Sequence, residues 1–339
     1  MTPALVTLPA AIDPALASAA RRLVDHATRI VILAHQNPDA DALGSGLGLA
    51  HALHGLGKTA IVACPDPAPP DFASFLPGLD TVVTTLDGPP FDLVVALDAG
   101  ELSRYGDLYA RYAALLRDAP ILNMDHHVTS KGCGVVNIID TKAAATAELL
   151  TLWLTQEGIA ISHDAARCLL AGIITDTRAF EFDATTARTM LVGSYLMSLG
   201  AVPLDVIKPI YRMRSLPAAR LFGLVAATLA SDVAGRLTWA EITPAMWEAA
   251  DLDVGSPDGG VTSFLIDITG VEIAILFRQL TPESVRLSIR TAGAQDATIL
   301  AGRFGGGGHP RAAGCTILAP LAEAKVLALA AAREQLGTD

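Results

Sequence analysis

The stretch "RIVILAHQNPDADALGSGLGLAHALHGLG", residues 29–57, reads as a buried strand, a polar turn and a helix in direct succession. "RIVILAH" has the apolar run of a covered strand, and the helix expected from Asp41 ends at Gly57, a residue suited to a C-terminal cap. Between them His35, Asp39 and Asp41 fall within seven positions, around Pro38. The proline turn keeps the loop short, and the small residues behind it let the helix start close to the strand. The glycines of "GSGLG" (44–48) lie inside the helix rather than at the strand-to-helix turn, so they make a weak dinucleotide fingerprint and read as close-packing positions.

The pattern repeats outward. A helical lead-in covers about residues 13–27, and "TAIVAC" (59–64), "FDLVVALD" (91–98), "PILNMD" (120–125) and "GVVNIID" (134–140) are short apolar runs bounded by Gly, Pro, Asp or Asn. Such strands separated by helices predict an α/β fold with a parallel sheet covered on both faces. Residues 144–158, 163–177 and 184–200 read as successive helices, and a helical stretch at about 203–230 joins the two halves. Strands return at 236–243, 271–280 and 284–291, followed by a helical stretch broken by "FGGGGHPRAAG" (304–314). The expected division is a parallel-sheet domain over 1–190, a helical linker over 191–215 and a smaller α/β domain over 216–339.

Composition narrows the function. The chain has 339 residues and is 51% hydrophobic with few aromatics, enough for two aliphatic cores. A formal net charge of −11 argues against broad capture of long nucleic acid, which needs a basic surface, but leaves room for a small anion held locally. Cys64, Cys133, Cys168 and Cys315 lie far apart without a CxxC pair and read as reduced thiols. No signal peptide or membrane-spanning run is evident, so a soluble cytoplasmic protein without a membrane partner is expected.

Four acidic signals share one placement. Asp39 and Asp41 follow the first strand, Asp98 ends "LVVALD", and Asp125 ends "ILNMD" with His126 and His127 behind it. In an open parallel sheet the carboxyl ends of adjacent strands converge on one crevice. Asp176 in "GIITDT" is an apolar-flanked carboxylate able to reach the same place from a helix. Any one of these alone is more often a helix cap or a turn residue. Together they form a carboxylate cluster whose mutual repulsion divalent cations would relieve. Mixed carboxylate and imidazole donors suit Mn2+, and a shared carboxylate can bridge two ions at roughly 3.5–4 Å, the separation used for in-line attack at phosphorus.

"HQNPDADALGS", "VVALDAG", "MDHH", "GIITDT" and "GGGGHPRAAG", in that order, resemble the successive motifs of the DHH phosphoesterase superfamily with its DHH-associated C-terminal domain. Length and motif order most resemble the branch of bifunctional oligoribonucleases (nanoRNases) and pAp phosphatases, pAp being 3′-phosphoadenosine 5′-phosphate. The resemblance implies an active site in the cleft between the two domains and two divalent ions, Mn2+ before Mg2+ or Co2+. One would sit on His35, Asp39 and Asp98, the other on Asp41, Asp98, His126 and Asp176, with Asp98 as the bridge. Asp98, Asp125 and His127 are the implied catalytic residues, Asp125 orienting a ligand and His127 meeting the scissile phosphate.

The resemblance assigns the C-terminal glycine run to substrate recognition. Gly306, Gly307, Gly308 and His309 are its expected contacts, because glycines let backbone N–H groups surround an anion. Arg311 adjoins them, Arg290 lies in "VRLSIRT", and Arg104 in "GELSRYG" follows Asp98 closely; all three are candidate phosphate ligands. His51, His54 and Glu148 read as structural. The implied substrates are short oligonucleotides, RNA and by extension DNA, together with pAp, and a homodimer is the candidate assembly. The alternatives are a cyclic-dinucleotide or pApA phosphodiesterase and, from another class, a non-catalytic nucleotide-binding regulator. A manganese pyrophosphatase would carry a lysine/arginine-rich C-terminal motif in place of "GGGGH", and a long-strand exonuclease would need further nucleic-acid-binding regions.

Overall fold

The strand–turn–helix unit read from residues 29–57 is β1 (Arg29–Leu33) followed by α2 (Ala40–Gly55), after a lead-in helix α1 (Pro14–His26). The structure is a computed structural model; it describes residues 7–337 apart from Arg117 and the side chain of His309. The chain divides into two compact units, residues 1–213 and 214–339.

In the first unit, β2 (Thr59–Ala63), β3 (Leu93–Leu97), β4 (Ile121–Asp125) and β5 (Val136–Ile139) join β1 in a parallel sheet of order β2-β1-β3-β4-β5. Two short helices, α3 (Leu108–Arg111) and α4 (Ala113–Leu116), lie between β3 and β4. They are followed after β5 by α5 (Thr146–Gln156), α6 (His163–Asp176), α7 (Ala187–Ser198) and α8 (Pro203–Ile207). The chain leaves β1 in one direction for β2 and returns on its other side as β3. The carboxyl ends of β1 and β3 therefore flank the point where strand order reverses, the usual ligand crevice of such sheets. Apolar side chains fill both faces: Ile30, Ile32, Val95 and Leu97 pack with α1, α2, α5 and α6, while Val31, Leu33, Val94 and Ala96 pack with Phe91, Tyr105 and Leu116. The small residues of α2 do what close packing requires, since a Cβ at Gly44 or Gly48 would meet Cys168 or Leu169 of α6.

Residues 191–213, expected as a linker, pack into this unit instead. Val192, Leu196, Ala201 and Val206 are buried in its main core. The helical stretch expected over 203–230 is broken. A π-helical turn over Lys208–Arg212 ends at Met213, which has extended backbone, and α9 (Leu216–Ala226) starts anew on the Ser215 cap with Pro217 in its first turn.

The second unit continues with β6 (Ala230–Asp232), β7 (Leu237–Ile242), α10 (Pro244–Ala249), α11 (Val261–Ile266), β8 (Ile273–Thr281), β9 (Ser284–Thr291), α12 (Ala297–Gly302), β10 (Gly307–His309), β11 (Ala312–Ile317) and α13 (Leu321–Gln335). Its sheet runs β10-β11-β9-β8-β7-β6, antiparallel except for the β7–β8 pair. One face packs on α12 and α13; part of the other packs on α9, α10 and α11. The glycine run expected as a break in a helical stretch is thus the start of a β-hairpin. Glycine spacing carries no strand signal of its own, and pairing of Gly307 with Gly314 and His309 with Ala312 makes the strand. Among the described residues no single helix is long and apolar enough to cross a membrane.

Candidate metal centre

Each acidic signal occupies the position its element dictates. Asp39 is the N-cap of α2; its Oδ1 accepts from the N–H groups of Asp41 and Ala42 at 3.0 and 2.9 Å. Cap and ligand are therefore compatible roles, because Oδ2 is left facing His35 Nε2 at 3.8 Å. Asp41 in the first turn of α2 has no exposed surface, and its oxygens accept from Thr146 N at 2.7 Å, Ala147 N at 3.0 Å and Ser45 Oγ at 3.2 Å. The open N-terminus of α5 thus fixes one carboxylate. A Cβ at Gly172 would collide with that carboxylate, so α6 approaches here only through glycine.

Asp98 sits one residue past β3 with a left-handed backbone, φ 59°. Its two oxygens face different partners. Oδ2 is 3.4 Å from His35 Nε2, whereas Oδ1 is 3.5 Å from His126 Nε2 and accepts from Thr146 Oγ1 at 2.8 Å. His126 Nε2 also stands 3.3 Å from Asp176 Oδ2. Asp176 ends α6, where the helix dipole disfavours a carboxylate and favours a cation. The donor atoms fall into close sets within 4.8 Å: His35, Asp39 and Asp98 in one, and Asp41, His126 and Asp176 in another. A third set substitutes His127 beside Asp98 and His126. His127 Nδ1, however, is already 2.8 Å from Asp125 Oδ1, which leaves Nε2 as its outward atom.

The imidazoles are prepared as ligands. His35 Nδ1 meets the Gln36 carbonyl at 2.9 Å and His126 Nδ1 the Ala143 carbonyl at 3.2 Å, so each ring turns Nε2 toward the carboxylates. His126 Nε2 is buried and has no hydrogen-bond partner of its own. Burial opposes a charged ring at His35, yet Asp98, the Gln36 carbonyl and the Asp39 charge lift it to about 8. At His126, burial is again outweighed, by Asp176, Asp41 and Asp98, and the ring is lifted to about 10. Desolvation and then the negative charge of Asp98 push Asp39 upward, although its side chain is still half open to solvent; burial and the Asp98 charge push Asp41 and Asp176 the same way. An orphaned imidazole nitrogen, crowded carboxylates and the lack of a thiolate in the sets fit a hard divalent cation. Asp125 differs: despite burial, hydrogen bonds from His127 hold its carboxyl low.

The other expected site residues are placed as follows. Arg104 is exposed, and its carbonyl accepts from Gln36 N at 2.8 Å beside His35. In the second unit Arg290 on β9 pairs across the ladder with Ala312, next to the hairpin of Gly306, Gly307 and Gly308. Arg311 follows β10 and donates to the Gln295 carbonyl at 2.9 Å, while the His309 side chain lies outside the described residues. The glycines have separable roles. Cβ atoms at Gly306 and Gly308 would collide with Gly314, Cys315, Ala312 and Ala313, whereas one at Gly307 would meet nothing within 4 Å. His51 and His54 bond the Pro77 and Ala60 carbonyls and stand outside the donor sets.

Several residues gained a place only in three dimensions. Thr146 and Ser45 hold the carboxylates; a polar residue at a helix start is too common a signal to have singled them out. Arg278 and Arg286 are cross-strand partners on β8 and β9, and Arg278 donates to Ser288 Oγ at 2.7 Å. With Arg290 they put three cations on one face of the sheet, and burial and then Arg286 push the Arg278 guanidinium down. Alternation along "VRLSIR" could have suggested the pair on β9; Arg278 required the register.

Comparison with known proteins follows the same lines. A profile of the DHH family, N-terminal domain, matches residues 29–173, and one of the DHHA1 domain matches residues 258–338. The chain is 33% identical to the bifunctional oligoribonuclease and PAP phosphatase NrnA of Thermus thermophilus, over 91% of this chain and 90% of that one. The chain belongs to the DHH family. Members of the DHH family are phosphoesterases, and this chain is a hydrolase of phosphoester bonds. It is also similar to the NrnA of Bacillus subtilis, at 27% identity over 85% of this chain and 89% of that one. The DHH fold recurs in the crystal structure of an exopolyphosphatase-related protein from Bacteroides fragilis. That likeness has a TM-score of 0.85 at 24% identity and covers 97% of this chain and 98% of the other.

Proposed function

We propose that the chain hydrolyses short oligonucleotides to nucleoside monophosphates and pAp to AMP, with two divalent cations, Mn2+ in the first instance. The observation that carries this reading is the opposed orientation of the Asp98 oxygens, Oδ2 toward His35 and Oδ1 toward His126. His35, Asp39 and Asp98 would hold one ion, and Asp41, Asp98, His126 and Asp176 the other. When bound, the ions supply positive charge that polarises a phosphoryl oxygen and makes water a stronger acid.

The chain's own groups do the rest. Thr146, Ser45 and the α5 N-terminus hold Asp41 and Asp98 in place, so the donor sets are formed before substrate arrives. Asp125 keeps His127 Nδ1 occupied, which leaves Nε2 to bond a phosphoryl oxygen or to give a proton to the leaving oxygen. Arg290 with Arg278 and Arg286, the backbone at Gly307, and Arg311 at the hairpin turn would supply donors for a terminal phosphate; His309 and Arg104, the latter six residues past Asp98 in the chain, are further candidate ligands. These local cations on an acidic chain favour a short anionic ligand, in line with the substrates in the names of the NrnA relatives.

The test is a Mn2+-dependent time course on labelled dinucleotide, five-residue and 24-residue RNA, beside pAp, a cyclic dinucleotide and pyrophosphate. Fast release of monophosphates from the two short RNAs and of phosphate from pAp is expected. Preference for the 24-residue RNA, the cyclic dinucleotide or pyrophosphate would overturn the substrate assignment.

A further inference from the structure

Asp98 is a non-glycine residue with a left-handed backbone, a conformation that persists only where the surroundings enforce it. The enforcing groups are visible. Tyr105, on the 3-10 turn Leu102–Tyr105, places its hydroxyl 3.0 Å from the Leu97 carbonyl and 3.0 Å from the Ala99 carbonyl, the residues directly before and after Asp98. Asn123 on β4 gives its two amide hydrogens to the Ala96 and Ala99 carbonyls, each at 2.9 Å. The Asp98 N–H itself bonds the Met124 carbonyl at 3.0 Å. Tyr105 and Asn123 have no exposed surface. Neither belongs to the donor sets, and neither carries a charge.

We propose that Tyr105 and Asn123 are positioning residues for the metal centre, a lock that holds the backbone at Asp98 so that one carboxylate oxygen faces each donor set. Asn123 bonds the Ala99 carbonyl outright, and the single Tyr105 hydroxyl hydrogen is shared between the Leu97 and Ala99 carbonyls, so the chain directly after Asp98 cannot relax toward extended geometry without disturbing both contacts. A relaxed Asp98 would still be a carboxylate at the end of β3, but it would no longer point its oxygens to opposite sides. The lock therefore acts on how tightly the pair of cations is held rather than on substrate contact. This inference rests on the two-cation reading given above.

The test uses the whole metal-free protein and Mn2+, with free Mn2+ read by electron paramagnetic resonance, so that turnover is not needed. Tyr105→Phe keeps the ring and removes only the hydroxyl; it is expected to leave the circular dichroism spectrum unchanged and to weaken Mn2+ binding about 10–100-fold. With Mn2+ supplied, kcat should fall while KM for the dinucleotide changes less than twofold. In an Asp98→Asn background the same substitution should alter Mn2+ affinity less than twofold, because a lock has nothing left to act on. Should Tyr105→Phe not fold, Asn123→Thr carries the same comparison. Unchanged Mn2+ affinity in Tyr105→Phe, or an equal loss with and without Asp98→Asn, overturns the lock while leaving the two-cation reading intact. Wild-type Mn2+ binding in Asp98→Asn alone overturns that reading, and the lock with it.

Discussion

Arg188 on α7 donates from Nε to Glu148 on α5 at 2.6 Å, and the Glu148 side chain is fully buried. The same guanidinium reaches Asp140, past the end of β5, at 2.7 Å. One cation thus ties α7 to the helix whose first residues hold Asp41 and Asp98. Removing it leaves a buried carboxylate with Thr189 Oγ1 and Ala144 N as its donors among the described residues. Arg188→Ala is expected to destabilise the protein by about 3 kcal/mol, the scale of an orphaned buried charge. Glu148→Gln in the same chain should restore part of the loss, and urea unfolding of the single and double variants measures both.

Asp98→Ala deletes the carboxylate whose two oxygens face His35 and His126. Mn2+-dependent hydrolysis should fall by more than the roughly 10–100-fold that loss of an outer metal partner costs. Turnover of dinucleotide at saturating Mn2+ reads this directly, and near-normal rates would overturn the proposed bridging role of Asp98.

Cation binding and metal-free stability should respond to pH in opposite directions. His35 at about 8 and His126 at about 10 are protonated at neutral pH without metal, and only neutral imidazole binds a cation. Mn2+ affinity should rise between pH 6 and 8, with proton release measurable by calorimetry in buffers of different ionisation enthalpy. For stability, a raised folded-state value contributes fully below the unfolded value, near 6.5 for histidine, and is lost as pH rises through the folded value. The raised Asp39, Asp41 and Asp176 act in the same sense from a lower starting pH. Metal-free protein should therefore melt at lower temperature at pH 8.5 than at pH 6.5, and excess Mn2+ should shrink or reverse that difference.

The hairpin glycines separate fold from binding. Gly306→Ala forces a Cβ into the Gly314 carbonyl and Cys315, and should destabilise by about 2 kcal/mol, the scale of overpacking. Gly307→Ala has open space around its Cβ, so its melting temperature should stay within a degree or two while KM for the dinucleotide rises. Thermal unfolding and steady-state kinetics on the pair distinguish the two roles.

The donor types were legible without coordinates because ligand chemistry resides in side chains, and five short apolar runs announced their strands by composition alone. Asp39 shows the limit of that reading: as a residue before a helix it is equally a cap and a ligand, and the structure makes it both through different oxygens. The hairpin Gly307–His309 with Ala312–Ile317 escapes the sequence because its strand character comes from a partner. The break at Met213 is different: Ser215 and Pro217 are a legible helix start, but the apolar content on both sides reads as one helical stretch.

Sequence by itself determined the alternation of strand and helix around residues 29–176 and the presence of His35, Asp39, Asp41, Asp98, Asp125, His126, His127 and Asp176, since periodicity and donor chemistry are local properties. Tertiary structure alone decided which Asp98 oxygen meets which histidine, that Thr146 and the α5 N-terminus would hold Asp41, and that Tyr105 and Asn123 would clasp the carbonyls around Asp98. Those relationships join residues far apart in the chain. They exist only once sheet register and helix approach have set hydrogen-bond geometry to tenths of an ångström.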